Sequence, residues 1–156
     1  ELSSTPGVGT TFRIYIPIAE EGFRSYEPPK FLVRGGSETV LLAEDEEDVR
    51  NIAKTMLQEF GYRVITAVDG EDAIAKFMEN KDSIDLLILD IVMPKKAGNE
   101  VYDAIRSVKP DMKVIFTSGY SSDLVRSKGL AGERDFISKP VSPSEFLKKV
   151  REVMDR

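Results

Sequence analysis

From Thr39 onward, short unbroken apolar runs alternate with longer amphipathic stretches. The runs are Val40-Leu41-Leu42-Ala43, Leu86-Leu87-Ile88-Leu89, Val114-Ile115-Phe116 and Phe136-Ile137. Runs of this kind, spaced by helix-length segments, read as strands buried on both faces of a parallel sheet. The pattern predicts strands near 39–44, 62–67, 84–90, 112–118 and 134–138, and helices near 47–60, 70–80, 98–108, 121–129 and 143–155. Val49, Ile52, Ala53, Met56, Leu57 and Phe60 recur at helical spacing as one apolar stripe, and Gly61 follows as a stop. Ser142-Pro143-Ser144-Glu145 is a capping box with proline at the first helical position, and Phe146, Leu147, Val150 and Val153 form the buried face behind it. The 121–129 stretch is short, serine-rich and closed by Gly129, which predicts a weak, mobile helix. The fold class is α/β: a doubly wound five-stranded parallel sheet of order 2-1-3-4-5 with helices on both faces.

The first 37 residues follow other rules. Residues 1–18 hold a turn-rich segment, Ser3 to Thr10, and then the alternating strand Thr11-Phe12-Arg13-Ile14-Tyr15-Ile16-Pro17. Phe12, Ile14 and Ile16 give that strand one apolar face with no partner sheet in view. It is expected to be disordered or to pair with a second copy, giving a homodimer. Residues 19–37 are acidic, then carry Pro28, Pro29, Gly35 and Gly36, as a linker would. The division is therefore 1–18, a strand remnant; 19–37, a linker; and 38–156, the α/β domain.

Polar residues stand where the apolar runs end: Glu44 and Asp45, Asp90, Ser118 and Lys139. In a doubly wound sheet, ligands bind outside the carboxyl ends of the strands, where the order reverses. The first and third strands are neighbours there, so three carboxylates meet and repel unless a cation lies among them. Oxygen ligands without nitrogen or sulfur select Mg²⁺, which keeps several waters and favours phosphate as co-ligand. A lysine and a hydroxyl at the same rim complete a set suited to carboxylate nucleophilic catalysis. Asp90 would attack phosphorus while Lys139, Ser118 and Mg²⁺ balance charge on the phosphoryl oxygens. Each member has a plainer reading: helix-dipole complement for the acidic pair, turn for Asp90, N-cap for Ser118, solvated lysine for Lys139. Their coincidence at successive strand ends favours a site.

Composition narrows the classes. The chain has 156 residues, 41% apolar and 31% charged, with room for one domain and an appendage. A net charge of −5 argues against nucleic-acid binding. Cysteine and histidine are both absent, which removes disulfides, thiolate and imidazole metal sites, and histidine catalysis. No apolar stretch approaches membrane-spanning length, so no membrane contact by this chain is expected. A cytoplasmic location fits. The start at Glu1 rather than methionine suggests a piece of a longer protein, whose other parts could be membrane-anchored.

Residues 38–156 resemble the receiver domain of two-component signalling, the phosphoacceptor module of response regulators. The resemblance is carried by Val40-Leu41-Leu42-Ala43-Glu44-Asp45-Glu46, Asp85 to Pro94, Val114-Ile115-Phe116-Thr117-Ser118-Gly119 and Phe136-Ile137-Ser138-Lys139-Pro140. It implies a flavodoxin-like sheet with Asp90 as the phosphorylated aspartate and Glu44 and Asp45 as acidic metal-site residues. It also implies the Val92 backbone carbonyl as a further Mg²⁺ ligand, Ser118 as switch hydroxyl, Phe136 as switch aromatic and Lys139 as the conserved-type lysine. Position 44 departs from the family's more frequent aspartate, and Thr117 beside Ser118 is a second hydroxyl. A cis bond at Lys139-Pro140 is expected, since the lysine must turn inward as the chain reverses.

Pro6 to Pro17 is similar to the closing strand of the ATP-binding domain of sensor histidine kinases, so the parent resembles a hybrid histidine kinase. The implied partner is a phosphohistidine on a kinase dimerisation domain or on a phosphotransfer protein. With neither ATP site nor acceptor histidine, this chain is expected to catalyse only its own aspartyl phosphorylation and dephosphorylation. A stand-alone response regulator is the alternative, and an interaction-only pseudo-receiver would have lost part of the acidic set. A haloacid-dehalogenase-like phosphatase would need an aspartate where Val92 stands. A flavodoxin-like FMN site would be repelled by the acidic run Glu44 to Asp48.

Overall fold

The computed structural model describes residues 1–16, 34–119 and 135–156. Two units separate, residues 1–30 and 31–156.

In the second unit five strands run parallel: β3 (Thr39–Ala43), β4 (Arg63–Ala67), β5 (Leu86–Asp90), β6 (Lys113–Ser118) and β7 (Asp135–Ser138). Their order, β4-β3-β5-β6-β7, is the 2-1-3-4-5 arrangement expected from the alternation of runs. The central strands β3 and β5 are buried at every position, as unbroken apolar runs require. Alternate side chains sort to opposite faces. Leu41, Ala43, Leu87, Leu89, Val114 and Phe116 pack beneath α2 (Gly70–Asn80) and α3 (Gly98–Arg106). Val40, Leu42, Leu86, Ile88, Ile115 and Ile137 face α1 (Glu47–Glu59) and α4 (Pro143–Met154).

The helix ends obey their local sequence. The Ser142 side chain accepts from the Glu145 amide at 3.3 Å, and Glu145 accepts in return from the Ser142 amide. The four residues expected on the buried face of α4 are all buried. In α1 the stripe is narrower than its spacing suggested: Leu57 is buried, but Ile52 is 62% exposed. A helix lying on a sheet buries only the side chains on its contact line, and Ile52 falls beyond it. The Lys139-Pro140 bond is cis, as expected.

The N-terminal residues differ from expectation. Ser3 to Thr5, read as part of a turn-rich segment, belongs to a strand (β1, Leu2–Thr5), which pairs antiparallel with Gly9–Phe12 (β2) through the register Leu2↔Phe12 to Thr5↔Gly9. Gly7 and Gly9 supply the left-handed dihedrals of the connection (φ 76° and 138°). The strand expected to lack a partner therefore has one within its own chain. Its large apolar residues remain open, with Phe12, Ile14 and Ile16 more than two-thirds exposed. The strand was expected to reach Pro17, which with most of the linker, the 121–129 helix and Tyr120 lies outside the described residues.

Candidate functional site

The carboxyl edge of the sheet gathers what the strand ends supply. β3 and β5 are neighbours, so Glu44, directly after β3, and Asp90, the last residue of β5, arrive side by side. One carboxylate oxygen from each of Glu44, Asp45 and Asp90 lies within 4.8 Å of the others. Glu44 and Asp90 are buried and Asp45 is exposed, so the cluster opens to solvent on the Asp45 side.

Lys139 reaches the cluster from the loop after β7. Its ammonium donates to Glu44 Oε2 at 2.5 Å and to Asp90 Oδ2 at 2.6 Å. The backbone delivers it there, because the Lys139 amide donates to the Ser118 carbonyl at 2.8 Å. The second oxygen of Asp90, Oδ1, accepts from the Val92 amide at 3.0 Å. Both oxygens of Asp90 are thus held by donors, and the carboxylate has a defined orientation.

Burial pushes the Glu44 carboxyl above the ordinary carboxylate range, against the pull of the Lys139 ammonium. Burial also disfavours the Lys139 charge, but its hydrogen bonds to Asp90 and Glu44 outweigh that and hold its pKa above the usual value. The remaining oxygen of Glu44, Oε1, is buried without a hydrogen-bond partner. An orphaned carboxylate oxygen in an all-oxygen cluster is what a hard cation would satisfy, so these residues fit Mg²⁺.

Ser118 ends β6 and is fully buried, while Thr117 is the residue in register with Asp90. Both hydroxyl-bearing residues therefore close the strand that pairs with β5. Phe136 lies on β7, in register with Phe116 and packed against the α2–α3 side of the core. It is outside the charged cluster.

Several neighbours of the site went unremarked in the sequence. Arg50 on α1 donates to the carbonyls of Glu44 (2.7 Å) and Asp45 (3.2 Å), fixing the acidic turn by its backbone. A Cβ at Gly98 would overlap the Asp90 carbonyl oxygen, so only glycine lets α3 begin there. Asp69 caps α2, accepting from the Glu71 and Asp72 amides, and also pairs with Lys95 at 2.7 Å. The Asp69-Gly70 pair just before an acidic first turn was a readable N-cap signal. The Arg50 and Lys95 contacts had none: the first depends on how the acidic turn just before α1 folds, and the second joins loops distant in sequence.

Among the described residues no helix is long and apolar enough to cross a membrane. The chain is 34% identical over 163 residues to the sensor kinase CckA of Brucella abortus, which covers 98% of this chain and 17% of the kinase. It spans just under half the length of the transcriptional regulators that it also matches. Among solved structures, the receiver domain of the hybrid histidine kinase CckA superposes with a TM-score of 0.64 at 32% identity, covering 74% of this chain and 98% of that one. The response regulator TrrA of Thermotoga maritima, in complex with Mg²⁺ and beryllium fluoride, gives 0.67 at 36% identity, covering 74% and 98%. Residues 40–151 match the response regulator receiver domain along their whole span, and the chain belongs to that family.

Proposed function

We propose that the domain accepts a phosphoryl group on Asp90 and changes conformation in response. The observation that carries this reading is the orientation of Asp90, one oxygen held by Lys139 and the other by the Val92 amide, at an acidic edge open on one side. A carboxylate oxygen of Asp90 attacks phosphorus, the bond to the imidazole nitrogen of a donor phosphohistidine breaks, and an acyl phosphate forms. Hydrolysis by water returns the carboxylate and inorganic phosphate. Glu44, Asp45, Asp90 and the Val92 carbonyl would hold Mg²⁺, whose charge offsets that of the phosphoryl oxygens. Lys139 keeps its proton, and its ammonium moves from pairing carboxylates to pairing the new phosphate. Ser118 donates its hydroxyl to the phosphoryl group, and Phe136 on the adjoining strand transmits the change.

We further infer that the parent is a hybrid sensor histidine kinase working in the cytoplasm. Residues 1–18 are then the end of its ATP-binding domain, 19–37 a linker and 38–156 the receiver. What supports this is that the match to a sensor kinase spans 98% of the chain, well outside residues 40–151, whereas the regulators match about three-quarters. The donor is a phosphohistidine on the kinase dimerisation domain or on a separate phosphotransfer protein.

The test is labelling by acetyl phosphate with Mg²⁺. Wild type should take up one phosphoryl group, and Asp90→Asn none while keeping its circular dichroism spectrum. Equal labelling of Asp90→Asn, mapped to another residue, would overturn the assignment.

A further inference from the structure

The segment after Asp90 makes a sharp reversal. The Lys96 amide donates to the Pro94 carbonyl at 2.7 Å, closing a three-residue turn across Lys95. Lys95 has φ 64°, the one positive value at a non-glycine residue among the described residues. A turn of this hand across an L residue is the rare and strained form of the γ-turn. It lies three residues beyond Val92, whose amide holds Asp90 Oδ1. Strain of this kind persists only where the surroundings impose it.

The surroundings here are the start of α2. The Lys95 ammonium pairs with Asp69 Oδ2 at 2.7 Å, while Asp69 Oδ1 accepts from the Glu71 and Asp72 amides. The Asp69 side chain is 11% exposed, although Lys95 is 54% exposed. The Gly70 amide points to the Pro94 carbonyl at 3.5 Å, and a Cβ on Gly70 would overlap the Lys96 carbonyl. One carboxylate therefore does two jobs, capping a helix with one oxygen and gripping the strained turn with the other.

We propose that Asp69 is a positioning residue for the acceptor site: by gripping Lys95 it holds the turn that sets the Val92 backbone against Asp90 and the metal. This rests on the reading of Asp90 and its neighbours as a Mg²⁺-dependent acceptor. Asp69 touches none of the reacting atoms, so its loss acts through the register of residues 91–96. Among the described residues it joins the loop after β4 to the loop after β5, two segments the sheet itself does not hold together.

The experiment is calorimetric titration of the intact 156-residue chain with Mg²⁺, comparing wild type, Asp69→Asn, Lys95→Gly and the double variant. Asparagine retains an oxygen for the helix cap but loses the charge that grips Lys95. Asp69→Asn should weaken Mg²⁺ binding about 3–10-fold, at low and at high ionic strength, with little change in unfolding midpoint. Glycine adopts positive φ freely, so in the Lys95→Gly background the same change should cost less than about twofold, a coupling that double-mutant analysis reads directly. Wild-type affinity in Asp69→Asn would overturn the proposal and leave a helix cap. So would a loss that disappears at high salt, which reports only a missing distant charge, or equal losses in both backgrounds. Asp45→Ala separates this from the underlying reading: if that variant binds Mg²⁺ as wild type does, the acceptor-site assignment fails, and a wild type that binds none overturns both.

Discussion

Replacing Lys139 by methionine removes the cation that, alone among the described residues, touches both buried carboxylates of the site, while keeping most of the side-chain volume. Glu44 and Asp90 then face one another and Asp45 without compensation. Two unit charges 4.8 Å apart repel by about 3 kcal/mol at an effective dielectric near 20. Solvent on the Asp45 side screens part of this, and Glu44, whose pKa is already raised, can escape by taking a proton. The expected loss of stability at neutral pH is therefore about 2 kcal/mol, below the usual cost of stranding a fully buried charge. The sign of the pH dependence follows from Glu44. Its folded pKa lies above the unfolded value of 4.5, so the folded state binds more protons in that window, and stability falls as pH rises through it. Lys139→Met should steepen that fall. Added Mg²⁺ should restore stability, and by more than in wild type, because the ion replaces the lost charge; a concentration ten times Kd contributes about 1.4 kcal/mol. Glu44→Gln should be close to neutral, since Lys139 keeps Asp90. The assay is urea denaturation across pH, with chelator and with Mg²⁺. An unchanged midpoint in Lys139→Met, or equal Mg²⁺ stabilisation of variant and wild type, would refute the electrostatic account.

Val92 is 54% exposed and offers no group to orient an attacking water, so phosphoryl-Asp90 should be long-lived, and Val92→Asn should hasten the loss of label, followed by phosphate release. A Tyr120→Glu change two residues past Ser118 should act the same way; slower loss in both would count against the idea. Deleting residues 1–30, a unit of its own, should leave labelling at Asp90 unchanged and abolish any dimer made by the open apolar face of the hairpin; a truncated chain that fails to fold would move the domain boundary. Burial works against the Asp135 carboxylate, but Lys149 and Arg156 outweigh it and hold its pKa low. Its contribution is present above the unfolded value of 3.8 and lost as pH falls through the folded one, so Asp135→Asn should flatten the acid limb of the stability profile in that window.

The apolar runs at 40–43, 86–89 and 114–116 determined the buried strands by themselves, because a strand covered on both faces has no polar alternation to confuse its reading. The site residues were legible for the same reason: once the strands are parallel, their carboxyl ends share one edge, so Glu44, Asp90 and Lys139 had to converge. The α4 cap was written locally in Ser142 and Glu145. What the chain order could not determine was partnership. Ser3 to Thr5 has the composition of a turn and lies in a strand because Gly9–Phe12 offers its backbone a ladder. Ile52 fits a helical stripe, yet it stays 62% exposed. The choice between Thr117 and Ser118 turns on a strand end, where side-chain alternation alone does not decide. The grip of Asp69 on Lys95 joins two separate loops through single side chains, and that of Arg50 depends on how the turn just before its own helix folds. Periodicity carries the burial of a face, which many residues share, whereas a contact between two particular side chains exists only once the tertiary structure has brought them together.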